Sequence, residues 1–399
     1  MQAPSAQLLP QVTAPIGTKT HDGYCQVKSP SVPLNVQQQR SKPADDGASP
    51  DQPRLSRSTT RLVKRLGLKH ITTDVLMIRR RWRGRGFGYF RPDGTAVTTA
   101  EKRRLAALAV PPAYEDVLYA AEPNAHIQAV GRDAAGRLQY RYHSQWQRVR
   151  ETRKARRLAR LADALPRIQH SVSQHLNSTE PLREFALAAV VELIARSAIR
   201  PGSEQYARLR GTRGAATLLK SNVSVHGETV MLHFKAKGGK LIEKEIHAPR
   251  LANAIDILQR LPGRRLFQYR DTDGAVHTAN AREVNQFLRG LAEVEISLKD
   301  FRTLLASVSV LEALARAEPA TSKRARRRQI IDAICEAAAE LGNTPAICRK
   351  SYVHETVVNA FENGVLERFA ETLRASRSTA ERAQVLAKVA ARIEADAAA

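Results

Sequence analysis

The chain has 399 residues, 43% of them hydrophobic, and a formal charge of +25 with a sequence pI near 10.5. That length allows two domains and a tail, and the charge favours a polyanionic partner, with nucleic acid and anionic membrane as the usual candidates. No apolar run approaches the roughly 20 residues that cross a bilayer, and no secretory leader is expected. The cysteines Cys25, Cys335 and Cys348 show neither CxxC spacing nor clustered histidines, which argues against a disulfide framework and a structural zinc site. A reducing, cytoplasmic setting fits this usage.

Residues 1–60 contain 8 of the 19 prolines and little apolar periodicity, so they are expected to form a disordered tail, with the fold beginning near Leu62. Residues 61–170 hold 24 Lys and Arg against 9 Asp and Glu, a net +15. Aromatic and glycine residues are interleaved with those arginines, as on a folded, phosphate-facing surface rather than a membrane-binding tract. Short strands are expected here, with GFGYF (86–90) turning through RPDG (91–94) into TAVT (95–98). HIQAV (126–130) and LQYRYH (138–143) form a second hairpin candidate around an Asp-x-x-Gly turn. Arg83–Gly88 reads as a basic, turn-rich hairpin, since no GKS/T and no helix follow its glycines.

Leucines at helical spacing predict a helix over 145–169, and the remainder is mainly helical, with helices over 182–197, near 249–261 and 281–291, and over 300–317 and 326–341. The exception is 230–246, where alternation broken at Gly238-Gly239 predicts a β-hairpin. Thr344-Pro345 supplies an N-cap and first-turn proline for a helix expected to carry Tyr352 about two turns in. An Ala-rich helix is expected over 379–399. The resulting fold class is α+β: a β-rich N-terminal domain (61–148), a mainly helical catalytic domain with a small hairpin (149–370) and a helical extension (371–399).

The segments GRDAAGRLQYRYH (131–143), IRPGSEQYA (199–207), HFKAKGGK (233–240), KDFRT (299–303) and GNTPAICRKSYVH (342–354) occur in one order along the chain. Together they resemble the type IB DNA topoisomerases of the poxvirus-like bacterial branch, from about residue 66 to 364. The resemblance implies Tyr352 as nucleophile, Arg200 and Arg302 as the two catalytic arginines, and Lys237 as general acid for the leaving 5′ oxygen. Asn343 falls where viral members have His and bacterial-type members commonly have Asn. Lys299 matches a neighbouring site lysine. Gln139, Tyr140 and Tyr142 match a segment that contacts DNA near the cut.

The chemistry suits those residue types. A phenol titrates near 10 and is a weak nucleophile at neutral pH. Flanking guanidinium groups lower that value and stabilise charge developing on phosphorus. Lysine suits proton donation, although Lys235 and Lys240 flank Lys237 at the same hairpin tip. The resemblance further implies a monomer that closes as a clamp around duplex DNA and relaxes supercoils through a 3′-phosphotyrosine, with no metal or other cofactor. One departure stands beside Arg302: the family's Trp-Ala-Gly-Thr after KDFRT is LLAS (304–307) here, with altered packing expected. His354 is assigned a surface or packing role, and Cys348 a core position. A site-specific tyrosine recombinase and a catalytically idle DNA-binding protein on the same fold are the alternatives. The β-like N-terminal region and the intact Tyr-Arg-Lys-Arg set weigh against them.

Overall fold

The computed structural model describes residues 55–396. Residues 1–54, most of the segment expected to be disordered, and 397–399 of the expected terminal helix lie outside the described residues. Regular structure starts earlier than the expected onset at Leu62. Helix α1 (Arg57–Arg65) is capped by the Ser56 hydroxyl, which accepts from the Thr59 N–H. Leu62 and Val63 of this helix pack with Leu68, Trp146 and Val149.

An antiparallel sheet of five strands follows: β1 (Ile78–Trp82), β2 (Phe87–Phe90), β3 (Glu115–Tyr119), β4 (Ile127–Arg132) and β5 (Leu138–Tyr142), in the order β2-β1-β3-β4-β5. Helix α2 (Thr99–Ala107) lies between β2 and β3 in the chain. The β4–β5 hairpin is as expected, with Gly136 at φ 72° in its turn. The 86–90/95–98 pairing forms only in short, as an antiparallel bridge between Phe90 and Ala96 with the Val97 N–H donating to the Tyr89 carbonyl and the Arg91 N–H to the Thr95 carbonyl. Along its length Phe87–Phe90 pairs instead with the arginine run Ile78–Trp82.

Two local forces explain this. Thr98 is drawn out of extended pairing as the N-cap of α2, exchanging hydrogen bonds with Glu101 in a capping box. Meanwhile the Arg80 guanidinium lies 4.1 Å from the Phe87 ring centroid and donates to the carbonyls of Val110, Pro111 and Tyr114. Arg81 and Arg83 sit over Phe90. Cation–ring contact therefore supplies cohesion that apolar alternation supplies in an ordinary strand.

Helix α3 (Trp146–Leu176) runs 31 residues, past the expected end at 169 and through Pro166. Its first turn, at Trp146 and Val149, belongs to the apolar cluster of α1; from Leu158 onward its buried face belongs to the large core that continues to Val389. That core gathers α4 (Arg183–Ser197), a three-stranded sheet of β6 (Val223–His226), β7 (Thr229–Lys235) and β8 (Leu241–His247), and α6 (Pro249–Gln259), while the short α5 (Glu204–Arg210) lies between α4 and β6 in the chain. A two-stranded ribbon of β9 (Gln268–Arg270) and β10 (Val276–Thr278) follows, then α7 (Ala281–Ala292), α8 (Leu298–Arg316), α9 (Lys323–Glu340), α10 (Pro345–Ser351), α11 (Glu355–Glu362), α12 (Ala370–Ala375) and α13 (Thr379–Asp396). The fold is α+β, with a β-sheet N-terminal region and a largely helical C-terminal region.

Where α3 leaves the sheet, His126 is buried between His70, stacked at 4.2 Å, and Trp146, edge-on at 4.4 Å. Its Nδ1 accepts the Ile71 N–H. Burial, reinforced by His70, pushes its pKa down to about 4. The folded value lies below the roughly 6.5 of an unfolded chain. The stabilisation is therefore complete above pH 6.5 and is lost as pH falls from 6.5 towards 4, by about 3 kcal/mol for this residue. Urea unfolding at pH 7 and pH 4.5 is expected to show a smaller acid loss in His126→Gln than in the unmodified protein; equal losses would contradict the assignment.

Candidate active site

Four chain segments converge where α4 ends. The helix stops because Ala198 adopts a left-handed φ of 55°, which sends Ile199 and Arg200 away from the helix axis. The turn after Arg200 requires glycine at 214: a Cβ there would lie 2.5 Å from the Arg200 carbonyl oxygen. The same carbonyl accepts the Ala215 N–H at 2.8 Å. Below the turn, Lys244 of β8 donates from Nζ to the Ser197 carbonyl at 2.8 Å.

Arg302, on the second turn of α8, is only 1% exposed. Its guanidinium donates to the carbonyls of Ala198 and of Leu341, the latter at 3.1 Å. One buried cation thus ties the segment leading to Arg200 to the segment leading to Asn343. Its Cζ also lies 4.8 Å from the centroid of the Tyr352 ring. Arg200 donates from Nη2 to Asn343 Oδ1, which closes the group. Among the described residues, Arg302 Nε and Asn343 Nδ2 have no hydrogen-bond partner. Two unmatched donors beside a tyrosine and two guanidinium groups form a surrounding suited to an anionic oxygen.

Tyr352 is not inside a continuing helix, as its sequence context predicts. It is the C-cap of α10, with φ −125° and ψ −40°, and the chain turns immediately into α11. His354 explains the break: its Nδ1 caps α11 by accepting the Thr356 N–H at 3.2 Å. The residue is buried, so of the two roles expected for it the packing one applies. Ser307 fastens the bend, donating from Oγ to the Tyr352 carbonyl at 3.1 Å and accepting the His354 N–H at 3.0 Å. The LLAS departure thus keeps a hydroxyl at its fourth position, and Leu304, Ala306 and Ser307 are all buried.

The phenol of Tyr352 is shifted below its ordinary value of 10. Burial acts to raise it, but the charges of Arg302, then Arg200 and Lys299, outweigh burial. Lys299 is exposed on the first turn of α8 and acts on the phenol through its charge. Cys348 is fully buried, and burial pushes its thiol up to about 11, so it is uncharged at neutral pH.

Other expected site residues lie apart from this group. Lys237 is exposed at the β7–β8 tip, where Gly238 and Gly239 take φ of 82° and 78°, and among the described residues its side chain makes no hydrogen bond or ion pair. Gln139, Tyr140 and Tyr142 lie on β5; Gln139 donates to Asp133 at 2.9 Å, and the two tyrosine rings stack at 6.0 Å. None of the three bonds to the Arg302 group. Lys244 and Ser307 were not singled out from the sequence, because side chains that grip backbone carbonyls leave no periodic trace. Among the described residues, no group of three or more His, Cys, Asp and Glu is arranged to hold a metal ion.

Residues 143–379 match the family model of the eukaryotic DNA topoisomerase I catalytic core, and residues 86–133 match that of the bacterial DNA topoisomerase IB N-terminal domain. The chain belongs to the topoisomerase IB superfamily. It is similar to the DNA topoisomerase 1B of Acanthamoeba polyphaga mimivirus, with 29% identity over 282 residues, 69% of this chain and 84% of the viral protein. Arg200, Lys237, Lys299, Arg302, Asn343 and Tyr352 fall within the catalytic-core match, whereas Gln139, Tyr140 and Tyr142 fall between the two matches. For a topoisomerase IB chain, the two arginines make separable contributions. Arg200→Ala is expected to raise the pKa of Tyr352, read by NMR titration of ring-labelled tyrosine, with little loss of stability. Arg302→Ala is expected to cost roughly 3 kcal/mol or more, because it strands two buried carbonyls and leaves a cavity. Equal destabilisation by the two variants in urea unfolding would contradict the distinction.

Proposed function

We propose that this protein is a type IB DNA topoisomerase of the poxvirus-like bacterial branch, relaxing positive and negative supercoils through a 3′-phosphotyrosyl linkage at Tyr352. The observation that carries this reading is one phenol whose ionisation two guanidinium groups favour, with an amide bonded to one of those guanidiniums.

In the proposed reaction, the Tyr352 oxygen attacks a backbone phosphorus as its proton departs. The bond from phosphorus to the 5′ oxygen breaks, and Lys237 donates the proton that leaves a free 5′ hydroxyl. Arg200 and Arg302 stabilise the charge on the non-bridging oxygens, and Asn343 donates a hydrogen bond to one of them. One phosphodiester replaces another, so bond energy is retained and the 5′ hydroxyl reseals the strand by the reverse step. No nucleotide cofactor or metal enters the scheme. Lys237 reaches the leaving oxygen when DNA occupies the site, the hairpin tip carrying it there; its glycine pair supports that movement.

The N-terminal sheet is proposed to close with the helical region as a clamp around duplex DNA. Gln139, Tyr140 and Tyr142 contact the strand near the cut, and Lys299 adds charge beside the nucleophile. Arg79 and Arg81 point to solvent from β1, and Trp82 beside them is 62% exposed, which suits a phosphate-facing hairpin. A monomer acting in the bacterial cytoplasm on nucleoid DNA completes the proposal.

Supercoiled plasmid incubated with the protein in EDTA is expected to relax, whereas Tyr352→Phe binds DNA and leaves the plasmid supercoiled. Relaxation by the Phe variant would refute the nucleophile, and recombination dependent on a specific site would favour a tyrosine recombinase. Salt titrations of DNA affinity separate the arginines of β1. Arg79→Ala is expected to lower the slope of log K against log salt by about one. Arg80→Ala is expected to lower thermal stability instead, because its guanidinium is engaged by four carbonyls.

A further inference from the structure

Behind the Tyr352 bend lies a polar group that the proposed reaction does not use. Lys154 projects from α3, has a side chain only 15% exposed, and donates from Nζ to the Val353 carbonyl at 2.6 Å. Glu151, one turn earlier, lies 3.7 Å from the ammonium, with Arg349 and Glu355 also within its field. Because α10 ends at Ser351, the carbonyls just beyond it lack helical partners, and a cation is favourable at the negative end of a helix. Successive backbone groups are therefore held by side chains from two other helices: the Tyr352 carbonyl and His354 N–H by Ser307 of α8, and the Val353 carbonyl by Lys154 of α3.

The position of Lys154 along α3 adds to this. Val149 packs with α1 in the N-terminal cluster, and Leu158 packs into the catalytic core. Lys154 lies between them, on the stretch of helix that passes from one core to the other.

We infer that Lys154 is a positioning residue for Tyr352, holding the backbone beyond the nucleophile from the helix that joins the two cores. It does not touch the phosphate. Its ammonium fixes the Val353 carbonyl, which with Ser307 sets the bend that presents the phenol to Arg302. An unfixed bend leaves the tyrosine to sample directions in which attack fails, so the rate of cleavage falls while DNA binding persists. The inference rests on the reading of Tyr352 as nucleophile for its effect on rate, though not for its effect on the bend.

The test uses the full chain, a duplex oligonucleotide whose cleaved 5′-hydroxyl fragment is too short to stay annealed, and the variants Lys154→Met, Lys154→Gln and Lys154→Arg. Three quantities are measured: the single-turnover rate of covalent adduct formation, DNA affinity by fluorescence anisotropy, and hydrogen exchange of the peptide spanning 352–354. Lys154→Met is expected to slow adduct formation at least tenfold, with affinity within threefold of the unmodified protein and faster exchange at the bend. Lys154→Gln, which keeps a donor without a charge, is expected to fall between, and Lys154→Arg to recover most of the rate. A rate within twofold of the unmodified protein in both Met and Gln variants would overturn the inference. So would a loss of rate matched by a loss of affinity, or one that Arg does not relieve. If the unmodified protein formed no adduct, the reading of Tyr352 would fail separately. Exchange would then decide the role of Lys154, unchanged protection in the Met and Gln variants overturning it and faster exchange supporting it.

Discussion

Withdrawing a guanidinium from water is costly unless its donors are matched, and the catalytic half of this molecule is arranged around one such group. Arg302 is buried on α8 and reaches the Ala198 carbonyl, the Leu341 carbonyl and the face of Tyr352. Those contacts lie just before Arg200, just before Asn343 and at the tyrosine itself. A single cation thus fixes the mutual placement of three side chains that are more than 140 positions apart in sequence at the extreme. The same charge, with Arg200 and Lys299, offsets the burial that would otherwise keep the phenol protonated. Structural cohesion and chemical activation come from one interaction.

The surrounding structure supports that centre by gripping backbone. Lys244 holds the Ser197 carbonyl, Ser307 the Tyr352 carbonyl and Lys154 the Val353 carbonyl. Each grip lies at the end of a helix, where carbonyls lack intrahelical partners. Short, irregular segments between helices carry Arg200, Asn343 and Tyr352, and polar side chains from neighbouring elements give those segments the rigidity that helical hydrogen bonding does not. Lys237, at an exposed hairpin tip and followed by two glycines with positive φ, has no such restraint among the described residues. The group thus combines a braced tyrosine and arginines with an exposed lysine on a glycine-rich hairpin tip.

Much of this was legible in the sequence, and the failures have physical causes. The 230–246 hairpin was recognisable because alternation and a Gly-Gly break coincide, and the helices of the large core because apolar residues recur at helical spacing. Strand β1 was hidden because its cohesion comes from arginines resting on phenylalanines, which a hydrophobic pattern does not register. The Thr98 cap stops the short 95–97 pairing from extending, and its Thr-x-x-Glu spacing was a readable signal. The ordered motifs singled out Arg200, Arg302, Asn343 and Tyr352, which the fold brings together. Tyr352 was expected inside a helix because nothing in SYVH resembles a glycine or proline stop; the buried His354 instead caps the next helix. Ser307 had one available clue, a hydroxyl retained where the rest of the neighbouring motif differs.

The central claim is that the surrounding cations act on one particular oxygen, that of Tyr352. Trapping the protein on a cleavable duplex, digesting both components and sequencing the DNA-linked peptide by mass spectrometry tests it directly. The expected result is a single modified peptide with the nucleotide on Tyr352, joined through its 3′ phosphate. Attachment to another residue, or linkage through a 5′ phosphate, would contradict the account.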